Sequence, residues 1–167
     1  MAKQSLSRQT VAALRAAGKT LCSAESCTGG LIAKKVTDVS GASAVFHGGV
    51  VSYVNAVKQV VLGVSPADLA QYGAVSAPVA RQMAAGARLL LHTDLAVSAT
   101  GVAGPEKDDR GNDVGLVYLA LAAEGQTWCC PCRFQGSRAQ IRSAAADFAL
   151  SLVLRYLSGE ELRGGAP

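Results

Sequence analysis

The spacing of apolar and polar positions divides the chain into alternating helical and extended stretches. Over 5–17 it suits a helix, and Gly18 stands where a helix stop belongs. Thr20-Leu21-Cys22-Ser23 is short enough for a buried strand. Leu31, Ile32, Lys34, Lys35 and Val36 then read as a first long helix reaching about Asp38. After a loop at 39–43, residues 46–53 predict a second strand, with Gly48 and Gly49 marking a bulge or close packing. Asn55 can cap a short helix carrying Val57, Lys58, Val60 and Val61, which ends at Gly63. Ser65-Pro66 starts a further helical turn, with Pro66 where its missing donor costs nothing.

Ser76 and Pro78 open a longer helix, and its Val79, Met83, Ala87 and Leu90 stripe reads as core. Residues 94–100 predict a third strand. Residues 114–122 and 127–134 predict a hairpin around 123–126, with Pro131 on an edge or a bulge. Ser137 precedes a final helix, in which Ile141, Ala145, Phe148, Leu152 and Tyr156 share one face. The tail at about 160–167 reads as flexible. Helices before and between strands imply a layered α/β domain, and the hairpin makes its sheet mixed. At 167 residues a single domain spanning 1–167 is expected.

Composition narrows the function classes. The chain is 50% hydrophobic and 17% charged, as a globular protein is, and no uncharged apolar run approaches the roughly 20 residues that span a bilayer. Met1 to Arg15 has no signal-peptide core, so a cytoplasmic location and no membrane partner are expected. The net charge of +4 is scattered and aromatics are 5%, which gives no stacking platform for nucleic acid. Cys22, Cys27, Cys129, Cys130 and Cys132 read as reduced thiols. The last three lack zinc-ribbon spacing and a nearby histidine, so no metal is expected.

The stretch Ala24-Glu25-Ser26-Cys27-Thr28-Gly29-Gly30 closes an apolar run and opens a helical one. A strand-to-helix turn of this kind sets a serine beside unpaired backbone N–H groups, which suit a phosphate, a carboxylate or an oxyanion. Ser26 is therefore a candidate nucleophile in need of a base. His47 has no signature around it, and His92 sits at a helix end where capping explains it. Lys58 can serve instead if its surroundings favour the neutral amine; otherwise it is a solvated helix residue. Thr100-Gly101-Val102-Ala103-Gly104-Pro105 ends a strand, where ligands collect in open α/β sheets, or simply makes a tight turn. Arg138 and Arg142 share a helix face, as a phosphate clamp or as a surface pair.

Together with Val51-Ser52-Tyr53-Val54-Asn55-Ala56-Val57-Lys58 and Gly73-Ala74-Val75-Ser76, these motifs resemble the CinA C-terminal domain family, in order over about 5–157. The resemblance is to its stand-alone nicotinamide mononucleotide (NMN) deamidase form, with no counterpart of the N-terminal domain of full-length CinA proteins. It implies a three-layer α/β/α sandwich, often dimeric, that hydrolyses the pyridine carboxamide of NMN to a carboxylate and ammonia in pyridine nucleotide salvage. It implies a Ser26–Lys58 dyad without cofactor or metal and an oxyanion held near Thr28, Gly29 and Gly30. Tyr53, Asn55, Thr100 and Gly101 would line the substrate, with Arg138 and Arg142 on its phosphate.

The chain departs from the family pattern at 106–113, where Asn112 and Asp113 hold the usual lysine and proline positions. Acidic residues facing a phosphate there would repel it. A non-catalytic nucleotide- or partner-binding module, an amidase on another amide, and Cys27 as nucleophile are the alternatives.

Overall fold

The computed structural model describes residues 5–162; of the expected flexible tail, 163–167 lie outside these. Five strands, β1 (Leu21–Glu25), β2 (Phe46–Val51), β3 (Leu95–Gly101), β4 (Leu116–Ala123) and β5 (Gln126–Arg133), form one sheet in the order β2-β1-β3-β4-β5. β2, β1 and β3 are parallel, whereas β4 and β5 run antiparallel as the expected hairpin. The helices are α1 (Leu6–Ala17), α2 (Leu31–Thr37), α3 (Asn55–Leu62), α4 (Pro66–Tyr72), α5 (Ala77–Leu91) and α6 (Arg138–Leu157).

Strand periodicity sorts the core into two layers. Leu21, Leu95, Val97, Val117, Leu119 and Leu121 face α1, α2 and α6, packing on Leu14, Ile32, Ile141 and Leu152. The intervening Cys22, Ala24, Ala96, Ala120 and Ala122 are small and face α5, with Met83, Ala80, Ala84 and Ala87. Small residues on both sides let α5 lie close, and Ser98 Oγ donates across the gap to Ala80 O at 2.6 Å. The result is the three-layer α/β/α sandwich with a mixed sheet that the sequence predicted. The strand carrying Pro131 is an edge strand, as its missing donor requires.

Several boundaries differ from the sequence reading. α2 starts at Leu31 as expected and ends at Thr37, with Asp38 as its cap, and residues 26–30 before it form an irregular turn tied by side-chain bonds described below. Asn55 does not cap α3. Val54 holds the extended cap position, and its carbonyl accepts from Val57 N–H and Lys58 N–H, so Asn55 starts the helix with an exposed side chain. His92 is the left-handed cap of α5, at φ 50°.

One glycine fixes where α3 sits. A Cβ at Gly86 of α5 would lie 1.9 Å from Leu62 O, the last residue of α3. In an exposed helix alanine would stabilise over glycine. Here Gly86→Ala is expected instead to destabilise by about 3 kcal/mol, because α3 must be pushed off. Denaturant unfolding at constant m-value measures this, and an unshifted midpoint would show that α3 is free to move.

Candidate active site

Parallel pairing brings the ends of β1 and β2 together. Glu25 pairs with Val51, and Ser52 N–H donates to Glu25 O at 2.8 Å. Ser26 and Ser52 thus follow side by side at the carboxyl edge of the sheet, while Ser26 N–H is anchored to Ala99 O of β3 at 2.9 Å. Lys58, in the first half of α3, reaches back to this edge.

Lys58 is one of the largest fully buried side chains, 1% exposed. Its Nζ lies 2.9 Å from Ser26 Oγ, 2.8 Å from Ser52 O and 3.5 Å from Tyr53 O. Burial disfavours the ammonium and lowers its pKa from 10.5 to about 8. A neutral amine has two N–H donors and one lone pair. Directing the donors at the Ser52 and Tyr53 carbonyls leaves the lone pair for the Ser26 hydroxyl proton. The arrangement can therefore activate a serine at near-neutral pH. The histidines do not supply this base: His47 Nδ1 lies 3.0 Å from Leu91 O, and His92 caps α5. Cys27 is buried, and its thiol is pushed up to about 12, a poor nucleophile.

The turn after Ser26 is held by Glu25, a residue the sequence reading quoted without giving it a role. Its side chain is 1% exposed. Oε2 accepts from Gly30 N–H and Ile32 N–H, both at 3.0 Å; Oε1 accepts from Ala33 N–H at 2.9 Å and Ser23 Oγ at 3.1 Å. The signal was available: a carboxylate just before a strand-to-helix turn, with α2's unpaired donors beyond it.

The residues expected to line the substrate divide into two groups. Tyr53 and Asn55 are exposed at the start of α3, as is Gly29 on the turn. Arg138 is exposed beside Tyr53, donating to its hydroxyl at 3.0 Å and to Gly104 O at 2.6 Å. The others are engaged in the fold. Thr28 is wholly buried, its hydroxyl without a partner among the described residues. Gly30 N–H is taken by Glu25 and Gly29 N–H by Ser26 O, so neither is free for an oxyanion. Thr100 donates to Ala74 O at 2.8 Å, which ties the end of β3 to the 73–76 loop. Gly101 lies against β4, where a Cβ would come within 2.6 Å of Leu116 O. Arg142 donates to Cys27 O at 3.0 Å and Thr28 O at 2.8 Å, latching α6 to the turn instead of opening a clamp with Arg138.

The divergent 106–113 loop satisfies much of its own charge. Arg110 donates to the carbonyls of Leu69, Ala70 and Gln71 at the end of α4. Asp108 accepts from the Arg110 and Asn112 N–H groups and from the Asn112 amide. Asp113 pairs with Lys107 at 2.8 Å and Arg133 at 3.7 Å. Among the described residues no three histidine, cysteine, aspartate or glutamate side chains gather as metal ligands, and no helix is long and apolar enough to cross a membrane.

The model of the CinA C-terminal domain matches residues 3–157. The chain belongs to that family. A CinA-like protein of Geobacter sulfurreducens is 51% identical over 143 residues, 86% of this chain and 35% of that protein. One of Syntrophomonas wolfei is 49% identical over 87% of this chain and 35% of its own length. The chain thus spans about a third of the length of these curated relatives. Among solved CinA-family structures, the competence/damage inducible protein CihA from Agrobacterium tumefaciens superposes with a TM-score of 0.86 at 39% identity, covering 92% of this chain and 93% of that one. A competence-damaged protein (CinA) superfamily member from Klebsiella pneumoniae reaches 0.89 at 33% identity, covering 93% and 99%. The resemblance to the CinA C-terminal domain family and the fold it implied are both borne out.

Proposed function

We propose that this CinA-family chain is an amidohydrolase that converts NMN to nicotinate mononucleotide and ammonia through Ser26 and Lys58. The observation that carries the reading is the 2.9 Å contact between Ser26 Oγ and a buried lysine whose pKa is lowered to about 8. A lysine used only for solubility would not be 1% exposed and hydrogen-bonded to a serine hydroxyl at the sheet edge.

In this reading neutral Lys58 accepts the Ser26 proton as Oγ attacks the carboxamide carbon. The tetrahedral intermediate collapses as the Lys58 ammonium returns that proton to the leaving nitrogen, and ammonia departs. Water then attacks the acyl-Ser26 ester, giving its proton to Lys58. Collapse returns the proton to Ser26 Oγ and releases the carboxylate product. The Cys27 and Thr28 N–H groups are the candidate oxyanion donors: unlike those of Gly29 and Gly30, neither has a carbonyl or carboxylate acceptor among the described residues. Exposed Arg138, with Tyr53, meets the phosphate in this reading, whereas Arg142 holds the turn. The acids of the 106–113 loop that pair internally leave less charge to repel a phosphate.

Ammonia release from NMN by the purified protein tests the proposal. Turnover by the parent, with loss of all but roughly a thousandth of it in folded Ser26→Ala, is the expected result. A folded parent that releases none, or a Ser26→Ala variant that matches it, would overturn the assignment.

A further inference from the structure

We infer that Glu25 is a positioning residue for the Ser26–Lys58 pair: its buried carboxylate fastens the turn that carries the nucleophile, and its carbonyl sets the strand end that orients the base. The catalytic readout of this inference rests on the amidohydrolase reading above; the clamp itself does not.

A carboxylate offers about four lone-pair sites. Glu25 fills them with four donors, one from β1 (Ser23) and three from the start of α2 (Gly30, Ile32, Ala33). The segment 26–29 is thereby closed into a loop whose two ends meet in one side chain. Ser26 is the first residue inside that loop. The same residue's backbone oxygen accepts from Ser52 N–H at 2.8 Å, and Ser52 O in turn accepts from Lys58 Nζ at 2.8 Å. Glu25 therefore holds the nucleophile through its side chain and the acceptor for the base through its main chain. Arg142 closes the turn from outside, on Cys27 O and Thr28 O, and among the described residues its bonds go to the turn and not to either strand end.

The chemistry of the clamp requires an ionised acid. Glutamine has the same shape but only one oxygen, so its NH₂ group must face at least one backbone N–H. Either Ala33 N–H or the Gly30 and Ile32 pair then loses its acceptor, at a buried site where water does not replace it. The turn loosens at the point where a displacement of about 1 Å costs on the order of a hundredfold in rate. Arg138 and Tyr53 lie on other elements and keep their grip on substrate.

The test compares the parent, Glu25→Gln and Glu25→Ala by kcat and KM for ammonia release from NMN. It also follows the rate at which a fluorophosphonate probe labels Ser26, and amide exchange at Gly30, Ile32 and Ala33. For Glu25→Gln the expected results are a kcat lower by about a hundredfold and a KM within about twofold of the parent. Probe labelling slows in parallel and the three amides exchange faster. Glu25→Ala exceeds each effect where it folds. A role in stability alone would lower the melting temperature yet leave kcat and the labelling rate of folded protein unchanged, and that outcome overturns the inference. If the parent is labelled but releases no ammonia, the substrate reading has failed and the labelling rates decide on Glu25. If the parent is not labelled either, unchanged exchange at the three amides overturns the clamp and faster exchange supports it.

Discussion

Replacing Lys58 with methionine is expected to lower NMN turnover by roughly 10³-fold while leaving the melting temperature at or above that of the parent. The two halves of this result have one cause. Lys58 is 1% exposed and its pKa is lowered from 10.5 to about 8, so below that pH the fold carries an ammonium it disfavours by about 3 kcal/mol. Methionine has a similar length and no charge, so it fills the same buried space and removes that penalty. It also strips Ser52 O and Tyr53 O of a donor, which costs about 1–3 kcal/mol and offsets part of the gain. Stability is therefore nearly conserved, whereas the proposed base for the Ser26 proton is gone.

Lys58→Arg is the companion variant. A guanidinium keeps the charge but does not become a neutral base, so turnover is lost in that variant too. Measured by ammonia release and thermal unfolding, a methionine variant that retained parental activity would remove Lys58 from the chemistry. One that melted well below the parent would show that its hydrogen bonds outweigh the cost of burying it.

The sequence made the layered fold legible because its signals are local. The largely apolar run through Leu95–Gly101, the hairpin around Glu124 and Gly125, and the Ser5 and Ser137 helix starts each follow from a few neighbouring residues. Ser26 and Lys58 were paired through a motif resemblance, not through periodicity: nothing in their spacing says that α3 folds back over the sheet edge. That approach depends on Gly86 meeting Leu62 O, a contact between distant segments with no local signature.

The same limit explains the residues expected around the substrate. Thr100 and Arg142 looked like ligand groups because they are polar and follow strand or helix boundaries, yet their donors go to Ala74 O and to the Cys27 and Thr28 carbonyls. Glu25 was passed over for the opposite reason. Four donors converge on it once the chain turns back at Gly30, and apolar spacing does not mark it; only its place just before the strand-to-helix turn does.

The pH profile gives the second large effect. Turnover is expected to rise about tenfold between pH 7 and pH 9, with an apparent pKa near 8, because the neutral form of Lys58 grows from about one-eleventh to about ten-elevenths over that range. Stability should respond in the same direction for this group. Its folded pKa lies below its unfolded value, so between about 8 and 10.5 the unfolded chain holds a proton that the folded chain has released. Folding therefore gains from Lys58 as pH rises through that window.

The buried thiols act in the opposite sense. Burial pushes Cys22 up to about 11 and Cys27, Cys129 and Cys132 up to about 12, so above pH 9 the unfolded chain loses protons that the folded chain keeps. Their contribution is full below pH 9 and is lost as pH rises toward 12. The parent's net stability above pH 9 consequently falls despite Lys58, and only the comparison with Lys58→Met isolates the lysine. The parent should gain on that variant by up to about 3 kcal/mol between pH 8 and 10.5, a window that opens where kcat is half-risen and extends above its plateau. A turnover rate that is flat from pH 7 to 9, or a stability difference that does not change over the lysine window, would mean that Lys58 titrates as a solvated amine. Its contact with Ser26 would then not be the one that moves the proton.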